Sequence, residues 1–156
     1  MDFDIAKEAR EYTKNTVIAK VGDFPTVYIK HSEDFPPGEI VLKYGQHLSQ
    51  SRGFGYLHIL AEHTADLDRY NLEHTIEGVV GYINLIIKTG AGIYSEFFYS
   101  RGTKYIPTIF WSKIGMVVLQ REDLQNGETR YSVITAYGQQ SPRGQKIGVI
   151  GNKKTP

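Results

Sequence analysis

Apolar residues recur along this chain with two different periods, and the change falls near residue 90. From Leu72 to Thr89, the positions Leu72, Ile76, Val79, Val80, Ile83, Ile86 and Ile87 follow helical spacing, and Gly90 supplies the stop. A preceding helix is expected from Leu57 to Asp68. At about 100° per residue, Leu57, Leu60, Ala61, Thr64 and Leu67 share one stripe, the expected core face. Past Gly92 the period becomes two, the period of a strand. Ile93–Ser100, Lys104–Trp111, Ile114–Arg121 and Glu128–Tyr137 are consecutive strand candidates, followed by a last apolar run, Lys146–Gly151. Gln125-Asn126-Gly127 signals a hairpin, the Ser112-Lys113 link a second, and Pro107 an edge or a bulge.

The region before residue 57 is less regular. Asp2 to Lys14 reads as a short charged helix that Asp2 or Asp4 could cap. Val17–Gly22, Thr26–His31 and Glu39–Gly45 are short β-prone runs separated by Gly22, Pro25 and Phe35-Pro36-Pro37-Gly38. His47–Tyr56 reads as a loop around Gly53-Phe54-Gly55. The pattern predicts one α+β domain over residues 1–156, with N-terminal helices packed on a mainly antiparallel sheet. Residues 1–50 form its irregular part with short strands, and residues 55–140 its core.

Composition removes several classes of chemistry. The chain has no cysteine, so disulfides, thiolate nucleophiles and zinc-thiolate sites are excluded. No apolar run approaches the roughly 18 residues of a membrane span, and the acidic start is unlike a secretory signal. No membrane partner and no cofactor are expected. A net charge of +1 gives little overall steering toward nucleic acid, so any such role must come from clustered Arg and Lys.

The segment Gly55–Leu67 carries the richest chemistry. Opposite its apolar stripe lies an arc of His58, Ile59, Glu62, His63 and Asp66. An imidazole there suits proton transfer near neutral pH, although surface histidines are also common. His58 and His63 are five residues apart, about 140° around a straight helix, so they cannot chelate one ion as an i, i+4 pair does. No metal is expected, and a third ligand from His31, His47 or Asp66 would require a distorted helix. On the Glu128–Tyr137 strand, alternation puts Tyr131, Val133, Thr135 and Tyr137 on one face and Arg130 and Ser132 on the other. Hydroxyls in that row suit a phosphate or an imidazole, and Tyr and Thr are also ordinary strand formers. Lys30, Arg52, Arg101, Lys104, Lys113 and Arg130 are the basic residues that could contact phosphate, and each taken alone reads more readily as a solvated surface charge.

The His-Ile-x-x-x-His segment (His58–His63), the long apolar helix after it and the strand ending in Ile134-Thr135-Ala136-Tyr137 together resemble the barnase/EndoU/colicin/RelE-like superfamily of ribonuclease toxins. That superfamily includes phage-associated and contact-dependent inhibition toxin domains. The resemblance spans about residues 55–140. It implies a helix-plus-antiparallel-sheet fold and metal-independent cleavage of RNA, tRNA among its targets, by 2′-OH transesterification. His58 and His63 would do acid–base work, and Arg101 or Lys104 would neutralise phosphate. Thr135 and Tyr137 would position it, while Arg52, Arg130 and Tyr131 would bind substrate. It further implies a cytoplasmic site of action, delivery as part of a larger effector, and a cognate immunity or antitoxin protein as partner. Two other readings stand beside it: a non-catalytic binding or phage structural domain on the same scaffold, and a metal-dependent hydrolase using His58 and His63.

Overall fold

Strand-period residues cannot bury one face alone, and here they assemble into a single large sheet. The structure, a computed structural model, describes residues 12–50, 52–88, 90–95, 98–100, 103–105, 108–138, 141–142 and 144–151. The main sheet contains β1 (Val17–Phe24), β2 (Gly38–Lys43), β5 (Gly92–Ser95), β8 (Thr108–Ser112), β9 (Gly115–Asp123), β10 (Thr129–Tyr137) and β11 (Gln145–Val149). Their spatial order is β1-β2-β10-β9-β8-β5-β11. Every neighbouring pair is antiparallel except β2 with β10, which run parallel. Two small hairpins lie outside it: β3 (Gln46–Ser49) with β4 (Arg52–Phe54), and β6 (Phe98–Ser100) with β7 (Thr103–Tyr105). The helices are α1 (Gly55–Glu62), α2 (Thr64–Arg69) and α3 (Ile76–Ile86).

The strongest period in the sequence produces the central packing. Thr75 caps α3 by accepting a hydrogen bond from the Gly78 amide at 3.1 Å. The helix is shorter than its apolar stripe: Leu72 and Ile87 lie beyond its two ends, packed partly buried against the core. Ile76, Val79, Ile83 and Ile86 are buried, and α3 meets β1, β8 and β9. Each such side chain contributes about 1.5–3 kcal/mol when fully buried. Across the same core, Phe24 stacks on Tyr131 with ring centroids 4.0 Å apart, and Phe35 and Phe110 close the aromatic group.

Several local expectations need correcting. The α+β class and the mainly antiparallel sheet hold, but the helices follow the first strands rather than preceding the sheet. Val17–Phe24 and Gly38–Lys43 are strands of that sheet, with β2 an interior strand next to β10. Thr26–His31 is not a strand; it ends in a 3-10 turn at Ile29–His31. His47–Tyr56 is not a loop but the β3–β4 hairpin running directly into α1. The β8–β9 hairpin turns at Lys113-Ile114, because Ser112 already pairs with Gly115. The β9–β10 turn falls where Asn126-Gly127 predicts, with Gly127 at φ 88°. The Asp2–Lys14 helix falls largely, and Pro107 wholly, outside the described residues.

The Leu57–Asp68 helix is two helices. His63, at φ −128° and ψ 28°, ends α1 and begins α2. Its amide still reaches the Ile59 carbonyl at 2.8 Å, while its own carbonyl accepts from Asp66 at 3.1 Å. The core face is accordingly rotated. Tyr56, Ile59 and Leu67 are fully buried, whereas Leu57 and Leu60 are only partly covered and Ala61 is exposed. On β10 the expected alternation also fails. A register shift between Val133 and Thr135 leaves Ile134 as an extra residue, so the next core position after Val133 is Ala136.

Candidate acid–base site

The broken helix and the β3–β4 hairpin converge on three imidazoles. The hairpin leads into α1 without a side-chain cap, and the Leu57 amide instead donates to the Tyr44 carbonyl at 3.0 Å. This anchors the first turn of α1 beside β3. His47 on β3 and His58 on α1 then bring their Nδ1 atoms to 3.2 Å. Two neutral imidazoles can share one proton only if one donates and the other accepts, so this contact fixes complementary tautomers. Gly53, opposite His47 in the hairpin register, makes the approach possible. A Cβ on Gly53 would lie 2.7 Å from His58 Nδ1.

His63 joins from the other side. Its position at the α1–α2 break brings its ring centroid to 6.3 Å from that of His58, nearly perpendicular to it. Tyr137, the last residue of β10, stacks on His63 at 5.2 Å. Carboxylates flank the group: Glu62 Oε1 lies 3.5 Å from His47 Nε2, and Asp66 Oδ2 lies 3.8 Å from His63 Nδ1. The cluster therefore has an inner, buried member, His58, between two partly accessible imidazoles, His47 and His63.

This placement tunes protonation. Burial holds the His58 imidazole below its ordinary value, and neighbouring His47 pushes it the same way against an opposing pull from Glu62. Burial likewise lowers His63, reinforced by His58 and opposed by Asp66 and Glu62. Both are thereby favoured as neutral bases near neutral pH, with carboxylates close enough to stabilise a proton once one is gained.

The other expected site residues scatter. Thr135 follows the β10 bulge, opposite Val118, and its Oγ1 is enclosed without a hydrogen-bond partner among the described residues. Tyr131 is not a surface contact: it is fully buried, and its hydroxyl donates to the Pro36 carbonyl at 2.8 Å. Arg130 is engaged by Glu122 at 2.8 Å, which also pairs with the buried Lys43. Burial by itself would raise the Glu122 carboxyl, but the hydrogen bonds from Lys43 and Arg130 bring it below its ordinary value. These three residues border a cavity of about 400 Å³ or lie beside it, with Ser132, Ile134 and Gly53 in its walls. Arg52 is exposed on β4, one residue from Gly53. Lys104 lies on β7, and Arg101 falls outside the described residues.

Sequence reasoning found His58, Glu62, His63 and Asp66 but gave His47 only a place as a possible metal ligand. The signal for it was the Gly53-Phe54-Gly55 segment, which closes a hairpin onto the helix. Among the described residues, no group of three or more His, Asp or Glu side chains converges in a way that could hold a metal ion. Among them, too, no helix is long and apolar enough to cross a membrane. In comparisons with known proteins, no family model, no curated protein and no solved structure matches this chain.

Proposed function

We propose that this chain is a metal-independent RNA-cleaving domain of the barnase/EndoU/colicin/RelE-like kind, with His47, His58 and His63 at its active centre. The observation that carries the reading is the His47–His58 contact at 3.2 Å beside His63, with Glu62 and Asp66 flanking the group. A neutral imidazole, His58 or His63, removes the proton of a ribose 2′-OH. The 2′-oxygen forms a bond to the adjacent phosphorus as the bond to the 5′-oxygen breaks. A protonated imidazole of the same cluster gives its proton to that leaving oxygen. Tyr137 holds the His63 ring by stacking. Arg52, Arg101 and Lys104 are the basic residues assigned to the phosphate charge, and Thr135 lies two residues before Tyr137 on the same strand. In this reading the domain acts in a target cytoplasm as part of a delivered effector and is neutralised by an immunity protein covering the imidazoles.

A metal-dependent hydrolase is the second reading, favoured by one distance. Two ring nitrogens bound to a single tetrahedral zinc at about 2.0–2.1 Å would be separated by roughly 3.3 Å, close to the His47–His58 value of 3.2 Å. One experiment separates the two. Total RNA incubated with the purified chain in EDTA should yield fragments ending in 2′,3′-cyclic phosphate and 5′-hydroxyl, while DNA stays intact for want of a 2′-OH. His58→Ala should slow cleavage by about 10²–10⁴-fold, the usual size of an acid–base contribution. Complete inhibition by EDTA, restored by zinc, would replace the first reading with the second. RNA left uncut under both conditions would overturn both.

A further inference from the structure

A second cavity, of about 380 Å³, opens between the end of α3 and the β5–β8 side of the sheet. Its walls include Tyr94 and Trp111, both partly exposed, and its rim carries Lys88, Lys113 and Lys146, all exposed. No acidic residue is among its described lining residues. In a chain whose net charge is only +1, three ammonium groups around one aromatic-walled cavity are a local concentration of positive charge. Gly92 shapes the floor, since a Cβ there would lie 2.6 Å from Tyr94 Cε1. The Tyr94 ring therefore lies across bare backbone.

The register connects this cavity with the imidazole cluster. Tyr137 pairs with Met116, Met116 with Trp111, and Trp111 with Gly92. Cross-strand partners share a face, and neighbouring strands lie about 4.8 Å apart, so Trp111 is roughly 10 Å from the strand position of Tyr137. Tyr137 is the residue stacked on His63.

We propose that the Tyr94–Trp111 cavity binds one nucleotide of a single-stranded nucleic acid, its base against the two rings and its phosphates among Lys88, Lys113 and Lys146. Flat aromatic faces accept any unstacked base, and ammonium groups accept phosphate as point charges. A duplex keeps its bases paired and stacked, so it cannot present one to a cavity of this kind. That the bound nucleotide neighbours one being cut rests on the nuclease reading; the binding itself does not.

Trp111 is the sole tryptophan, so its fluorescence reports on the cavity directly. A short oligodeoxyadenylate is the probe, because it carries bases and phosphates but no 2′-OH and stays uncut whatever the imidazoles do. Titration into the whole chain should quench Trp111 saturably, and duplex DNA of the same length should bind far more weakly. Trp111→Ala, followed by anisotropy of a labelled oligomer, should raise Kd about 5- to 150-fold, the equivalent of one stacked base. Trp111→Phe should recover much of that affinity, which separates lost stacking from lost folding. Each of Lys88→Gln, Lys113→Gln and Lys146→Gln should flatten the plot of log Kd against log salt by about 0.7. Absence of quenching overturns the proposal. So does inorganic polyphosphate binding as tightly as the oligomer with Trp111→Ala without effect, which would mean charge alone. If the oligomer fails to bind while RNA is still cut in a His58-dependent way, this inference falls and the proposed function stands.

Discussion

Gly53→Ala is a small substitution that should reach the centre of the imidazole cluster. The added Cβ would sit 2.7 Å from His58 Nδ1 and 2.5 Å from the Gln46 carbonyl oxygen, with Gly53 at φ 153°. The Gln46 carbonyl belongs to a paired strand and cannot retreat, so the imidazole must. Restoring ordinary contact of about 3.5 Å moves the ring by roughly 0.8 Å. The His47–His58 separation starts at 3.2 Å, so a shift of that size away from His47 takes it out of hydrogen-bond range. Backbone strain at such a position costs about 1–3 kcal/mol, and a lost internal hydrogen bond about 0.5–1.5 kcal/mol. The total should be about 2–4 kcal/mol, read as a lower urea midpoint at unchanged m-value. A ring moved away from His47 also loses one of the two causes that lower its titration. Its NMR titration midpoint should therefore rise toward 6.5, the ordinary histidine value. An alanine variant with native stability and an unshifted His58 titration would show that Gly53 does not shape this site.

Three further outcomes test the packing and the protonation. Ile83→Ala removes a fully buried side chain beneath the sheet and should cost about 2–5 kcal/mol in urea unfolding. Tyr131→Phe leaves the Pro36 carbonyl without its donor and should cost about 1 kcal/mol by the same measurement. Because His58 and His63 both titrate below 6.5 in the folded chain, the unfolded chain takes up protons first as pH falls. Their effect on stability should be absent well above that value, grow unfavourable as pH falls from it toward the folded values, and level off below them. A His58→Gln/His63→Gln double variant should flatten this part of a urea midpoint profile recorded over about pH 5 to 8.

Legibility of the fold followed the strength of the periodic signal. The α3 stripe was readable because Ile76, Val79, Ile83 and Ile86 repeat over three turns, and all four are buried. Of the strands expected after Gly92, those at Ile114–Arg121 and Glu128–Tyr137 form as β9 and β10, whereas Ile93–Ser100 and Lys104–Trp111 each divide between the main sheet (β5, β8) and the separate β6–β7 hairpin. What the pattern could not show was the bulge at Ile134, because one extra residue changes the phase of every later position without altering composition. Strict alternation therefore puts Tyr131 and Tyr137 on one face, yet one is core and the other stacks on His63. The parallel β2–β10 pair was equally invisible, since it joins segments some 90 residues apart and depends on tertiary packing alone.

The candidate site was half legible, and the missing half shows what makes it a site. A straight helix through Leu57–Asp68 would have turned His58 and His63 about 140° apart, so the sequence supplied the right residues with the wrong geometry. The break at His63 changes that: it ends one helix, starts the next, and brings the ring within reach of both His58 and Tyr137. His47 arrives by an independent route, through a hairpin in which its partner Gly53 has no side chain to obstruct it. Neither device has a composition of its own. Each is a local departure from regular structure, of the kind that concentrates where side chains must meet at close range. The same departures explain why His58 is buried although it lies opposite the expected apolar stripe. The hairpin closes over it, removes water, and lowers the proton affinity of the imidazole that the proposed reaction needs as a base.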